Sequence, residues 1–269
     1  MNRFLCLLLF LSCNLWARFP EKKEFVIIIP SFNNEKYCIG NLQSVAMQCY
    51  PYWEAIYIDD CSTDKTRHLV EAFVKEHNLQ NRFRIIRNKK NIGAMANFYY
   101  WINNVDAKKI IVHLDGDDRL AHPMVLEKLA YAYSDPKVWL TYGNFRAEPE
   151  TYPFRSSPLP KKVMKKNAFR KNDWVTSHLR TYYAKLFHKI NKKDLMYKDA
   201  FVPMAADQAT MFCLLEMASR GHIRFINEDL YIYNYTNPLN DEKKDLWLVQ
   251  DVERELRKKR PYKPLKKLF

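Results

Sequence analysis

Apolar and polar positions along this chain follow two rhythms. Continuous, mostly β-branched runs recur as Phe25-Val26-Ile27-Ile28-Ile29, stopped by Pro30, then Ala55-Ile56-Tyr57-Ile58, Phe83 to Arg87, and Lys109 to Leu114. Short runs that are apolar at successive positions predict central strands covered on both faces. Between them, Tyr37 to Gln48, Thr66 to His77 and Ala94 to Asn104 carry apolar residues at helical spacing. Strands alternating with helices at intervals of about thirty residues predict βαβ units around a parallel sheet.

The later chain is less regular. A helix over Met124 to Tyr133 and a short strand over Val138 to Tyr142 close the first unit, and a Pro- and Lys-rich stretch from Glu148 to Lys171 predicts a loop or lid. Trp174 to His188 has aromatic and apolar residues at helical spacing, and Gln208 to Arg220 predicts a long helix capped by Gly221. Strands over Ile223 to Ile226 and Leu230 to Tyr235 follow, and Asn237 to Asp241 starts a last, basic helix. The expected architecture is α/β: a Rossmann-like, mostly parallel sheet flanked by helices, with a helical C-terminal region. One domain spans 24–240, in halves 24–145 and 146–240, between a segment 1–17 and a basic stretch 241–269.

Ligands of open parallel sheets sit outside the carboxyl ends of the strands. The polar clusters of this sequence fall at those ends: Ser31-Phe32-Asn33-Asn34, Asp59-Asp60, Asn88 to Gly93, and Asp115-Gly116-Asp117-Asp118. The last places three carboxylates within four residues, which repel one another unless a cation or polar ligand lies among them. Oxygen ligands suit a hard divalent ion that completes its shell with water and phosphate. An Asp- and Gly-rich turn is the bland alternative, and helix capping accounts for Ser62 to Asp64. Asp207, near the start of the long helix, is either a cap or a catalytic carboxylate.

Composition adds three constraints. Hydrophobic residues make up 48% of 269, enough for a buried core. Lys and Arg exceed Asp and Glu by 44 to 30, a net charge of +14, which favours anionic partners. Much of the excess lies in 252–269, which suits a solvated or membrane-surface tail, and the basic residues lack the interleaved aromatics of a nucleic-acid platform. Nucleic acid is therefore not expected. Arg3 followed by the uncharged run Phe4 to Trp16 and by Ala17 reads as a secretory signal or a retained anchor. Export or membrane anchoring is expected, with a cytoplasmic, membrane-associated location as the alternative. Cys38, Cys49, Cys61 and Cys213 show no paired spacing, so buried free thiols are expected.

Taken in order, Ile29-Pro30-Ser31-Phe32-Asn33, Ser44 with Gln48 and Tyr50, Tyr57 to Asp64, Asn91-Ile92-Gly93 and Leu114 to Asp118 resemble the family 2 glycosyltransferases. The resemblance covers roughly residues 25 to 235. It implies the GT-A fold and transfer of a sugar from a nucleotide-sugar, UDP-linked, to a glycan, lipid-linked or protein hydroxyl. It implies that Pro30, Ser31, Asn33, Asp59, Asp60, Arg87, Asn91, Gly93, Asp115, Gly116 and Asp117 border the donor. Asp115 and Asp117 match the D-x-D pair that holds Mg2+ or Mn2+, and Asp118 is a weaker candidate. Asp207 matches the general base of inverting members. Here Ala206 replaces the usual acidic neighbour, which keeps open a catalytically silent nucleotide- or glycan-binding relative. His178 and Arg180 lie where similar enzymes contact acceptor or diphosphate, and Tyr182 is expected to pack. The Q-x-x-R-W motif of processive synthases is absent, so single additions are expected.

Overall fold

The computed structural model describes residues 22–150, 152 and 154–269; the leader-like segment 1–17 lies outside them. The apolar runs become the centre of a sheet: β1 (Phe25–Ser31), β2 (Trp53–Asp59), β3 (Phe83–Arg87) and β4 (Ile110–His113) are parallel, in the order β3-β2-β1-β4. Both faces of β1 are buried. Val26 and Ile28 pack on one side, Phe25, Ile27 and Ile29 on the other, which is why the run lacks polar alternation. Pro30 does not end β1. It pairs in register with Ile58, beyond the last residue of β1 that meets β4.

α1 (Cys38–Ala46), α2 (Thr66–Glu76) and α4 (Val125–Ala132) cover one face of the sheet. α3 (Ala94–Ile102) and α7 (Ala206–Ala218) cover the other. The crossovers therefore change sides between β1 and β4, the place where an open α/β sheet leaves a crevice.

The second half continues the same sheet. β5 (Arg119–Leu120), β6 (Leu140–Glu148), β7 (Ser177–Tyr183) and β10 (Ile223–Asn234) extend it as β4-β7-β6-β10-β5, with β7 antiparallel to both β4 and β6. The helix expected over Trp174 to His188 is instead β7 followed by the short α6 (Ala184–Phe187). His178, Arg180 and Tyr182 recur at period two, and this alternation, not the helical one, matches the structure. The two strands expected over 223–235 are one, β10, interrupted by register shifts between Ile226 and Tyr231. The Pro-rich stretch carries α5 (Lys161–Lys166), and β8 (Met196–Tyr197) with β9 (Ala200–Phe201) forms a small hairpin.

The basic C-terminal stretch folds back onto the protein. α8 (Asp241–Lys258) buries Val249, Val252 and Leu256, and Leu268 is buried in the same core cluster as α7. Among the described residues no helix is long and apolar enough to cross a membrane. All four described cysteines are free, but only Cys38 and Cys213 are buried; Cys49 is exposed and Cys61 is partly so.

Candidate active site

A cavity of about 440 Å3 opens at the carboxyl ends of β1 and β4, within the range of small-molecule sites. Its floor is the turn Asp115-Gly116-Asp117-Asp118. Asn41 of α1 fixes that turn by donating to the carbonyls of Asp115 (2.9 Å) and Asp118 (2.8 Å). Gly116 is required there because a Cβ would come within 2.6 Å of the Ser31 side chain. Asp118, which is buried, accepts from the Tyr231 hydroxyl (2.6 Å) and the Asn234 N–H (2.7 Å). Asp117 accepts from Asn237 (2.6 Å). The irregular end of β10 and the segment after it thus hold the floor from the far side.

These carboxylates are crowded. Burial pushes Asp117 up to about 6 despite the Asn237 hydrogen bond, with Asp115 adding to the shift. Burial raises Asp118 well above the carboxylate range, with the Asp117 and Asp115 charges behind it. Burial also raises Asp115, against the pull of Arg180. Carboxylates held together at this cost mark a place for a cation.

One carboxylate oxygen each from Asp115 and Asp118 and one ring nitrogen of His178 lie within 4.8 Å of one another. Burial, together with Arg180 and His113, holds the His178 imidazole well below its usual range. A neutral imidazole with two carboxylates is a donor set that fits Mn2+, whereas Mg2+ would rely on the carboxylate oxygens alone. The structure therefore brings Asp118 and His178 to Asp115, while Asp117 faces Asn237.

Arg180 connects the two sides of the cavity. Arg180 is 4% exposed, and its guanidinium lies 3.6 Å from Asp115 and 3.1 Å from Asp207. It also approaches His178 Nδ1 at 3.2 Å. Asp207 occupies the first turn of α7 without capping it; the residue before the helix is Ala205, in the left-handed region at φ 54. The cavity is also lined by Phe145, Tyr152, Phe154, Trp174 and Tyr233, of which Phe145 and Tyr233 pack on His178 with ring centroids at 5.3 and 5.4 Å, and by Asp241, Glu242 and Glu253 of α8. Burial pushes Asp241 up to about 6 against a hydrogen bond from the Ala205 N–H, and the Asp207 charge adds to it.

Pro30, Asp60, Asn91, Gly93, Asp115, Gly116, Asp117, His178, Arg180 and Asp207 line the cavity; Ser31, Asn33, Asp59 and Arg87 do not. Ser31 accepts from Tyr57 (2.8 Å) and Asn34 (3.0 Å) beneath the surface. Asn33 accepts from the Thr63 N–H (2.8 Å). Asp59 accepts from the Ser62 N–H (3.0 Å) and lies 3.9 Å from Arg87. Asp60 clamps the Asn91 to Gly93 loop by accepting from the N–H groups of Ile92 (3.0 Å) and Gly93 (2.8 Å). Tyr182 is fully buried and hydrogen-bonds His113. Sequence reasoning missed the aromatic wall, which β6, the chain between β6 and β7, and β10 supply together, and it missed Asn237 and the carboxylates of α8, which reach the cavity through the return of β10 and α8.

A model of the glycosyl transferase family 2 matches residues 26–195. TuaG of Bacillus subtilis is 31% identical over 93 residues, 35% of this chain and 35% of its own length. GlyG of Streptococcus pneumoniae is 24% identical over 222 residues, 77% of this chain and 69% of its own. The chain thus spans about a third of TuaG, and in Staphylococcus aureus TarS the match spans 10% of that protein. Among solved structures, TarS 1-349 in complex with UDP superposes with a TM-score of 0.59 at 19% identity, over 87% of this chain and 65% of that one. The mannosyltransferase PcManGT of Pyrobaculum calidifontis, in complex with GDP-Man and Mn2+, gives 0.56 at 16% identity, over 90% and 67%.

Proposed function

This chain belongs to glycosyl transferase family 2, and on that premise we propose that it moves a sugar from a nucleotide-diphosphate sugar, UDP-linked, to an acceptor hydroxyl with inversion at the anomeric carbon. The observation that carries the reading is the convergence of Asp115, Asp118 and His178 at the β1/β4 crevice, with Asp207 held across it by Arg180.

Asp115 and Asp118, joined by His178 for Mn2+, would hold Mg2+ or Mn2+, which supplies positive charge where the leaving diphosphate develops negative charge. Gly116 lets the turn that carries these acids pack against Ser31 and Asn34, where a Cβ would clash. The Asn91 to Gly93 loop, clamped by Asp60, shapes the nucleoside side. Arg180 holds the Asp207 carboxylate in place at 3.1 Å. Asp207 takes the proton as the acceptor oxygen bonds to the anomeric carbon; the bond from that carbon to the diphosphate oxygen breaks, and the electron pair leaves with the nucleoside diphosphate. The acceptor is a glycan, lipid-linked or protein hydroxyl.

Release of nucleoside diphosphate from UDP- and GDP-sugars, with and without Mn2+, tests this. Asp115→Asn is expected to reduce metal-dependent release by at least about a hundredfold. Equal rates for the variant and the native chain would remove the carboxylate floor from the mechanism. Asp207→Asn should keep donor-induced thermal stabilisation and lose transfer by roughly a hundredfold or more. Undiminished transfer would place the base elsewhere.

A further inference from the structure

The protein is strongly basic, yet the cavity at the β1/β4 crevice is acidic: eight carboxylates line it against Arg180 and Lys244. Those on the floor are accounted for by an ion. Asp241, Glu242 and Glu253 of α8 are not, because none belongs to the Asp115, Asp118 and His178 set and Arg180 is already shared between Asp207 and Asp115. They form one cluster. Burial raises both Asp241 and Glu253, and the Asp207 charge raises them further.

Three other observations concern the same cavity. Tyr152 packs against Tyr233, ring centroids 5.4 Å apart, and Phe145 packs against Tyr233 at 5.8 Å, so an aromatic wall lines the same cavity as the carboxylates. The Tyr152 hydroxyl reaches Glu242 at 3.5 Å, which joins wall and cluster. Gln208, 4% exposed, donates its amide to Glu253 and leaves its carbonyl oxygen without a donor at the cavity lining. A buried carbonyl without a partner is costly unless a ligand supplies the hydrogen.

We infer that the acceptor is an uncharged sugar, seated with a ring face on the Tyr152 and Tyr233 wall and its hydroxyls donating to Asp241, Glu242, Glu253 and the free oxygen of Gln208. Aromatic rings take the C–H face of a sugar and carboxylates take its hydroxyl hydrogens. A phosphate-bearing polyol chain presents anions to the same carboxylates, and like charges in a partly desolvated site are strongly disfavoured. The excluded acceptor class is therefore as definite as the accepted one. The inference rests on the transferase reading, but acceptor binding is measured without turnover, so the two fail separately.

The experiment is saturation-transfer NMR on the full chain with Mg2+, using methyl β-glycosides of neutral hexoses and N-acetylhexosamines beside ribitol-phosphate and glycerol-phosphate oligomers. Neutral glycosides are expected to give transfer and the phosphate oligomers none. Glu242→Lys, a change at an exposed helix start, should weaken neutral glycosides by about tenfold, the scale of one charge-assisted hydrogen bond. Tyr152→Ala should weaken them similarly and reduce transfer to the ring C–H protons. Tighter binding of the phosphate oligomers, no binding of any neutral glycoside, or a Glu242→Lys protein that binds them unchanged would each overturn the inference.

Discussion

The carboxyl of Asp117, pushed up to about 6 chiefly by burial, shows what the floor requires. Asp115 and Asp118 are raised as well, again first by burial. Acids whose folded values lie above their unfolded ones stabilise the ion-free fold at low pH, and that contribution is lost as pH rises through about 6. Ion binding runs the other way, since it needs the ionised groups. The increase in melting temperature caused by Mn2+ should therefore be larger at pH 7 than at pH 5; an equal increase at both would show that the ion binds elsewhere. At this scale the sequence was legible where chemistry is local. Three acids at the end of an apolar run announce a charge problem whatever surrounds them. Which acid meets His178 was not legible, because it is set by Tyr231 and Asn234, more than a hundred residues away.

The elements that carry the floor are β1, β4 and the turn after β4, and they fit with little tolerance. A methyl group at Gly116 would meet Ser31 Cβ and Oγ at 2.6 Å and Asn34 Nδ2 at 2.8 Å. Gly116→Ala should therefore keep the fold but cost about 1–3 kcal/mol, with the Mn2+-dependent stabilisation by a UDP-sugar lost. Thermal unfolding with and without both ligands measures each part, and a variant that retains the ligand effect would show that the turn can move away from β1. The first four strands were legible because full burial leaves an uninterrupted apolar run. β7 was not, because its aromatic residues also match a helical spacing. His178 and Arg180 at period two were the better signal, and that period puts both on the cavity side of one strand.

Across the whole molecule, one buried pair ties the lid region to the C-terminus. Arg170 donates to Glu216 of α7 through Nε (2.6 Å) and Nη2 (3.0 Å), and to the Leu256 carbonyl of α8 (2.7 Å). Glu216 also accepts from the Tyr262 N–H (2.9 Å). Arg170→Met leaves Glu216, 0% exposed, without its counter-charge, at a cost of about 3–5 kcal/mol. The melting temperature should fall by roughly 10 °C. Arg170→Met with Glu216→Leu should recover part of that loss, and a single variant that melts like the native chain would show that the pair carries no stability. The basic stretch that reads in sequence as a solvated tail owes its docked position to this junction and to Leu268. Arg180 has a comparable place at the cavity, where one guanidinium serves Asp115 on one side and Asp207 on the other. Any ligand that draws Asp115 away alters what Arg180 offers Asp207, so the two half-sites are thermodynamically linked. By reciprocity, whatever factor an ion on the floor applies to the affinity for acceptor, the acceptor applies to the affinity for the ion.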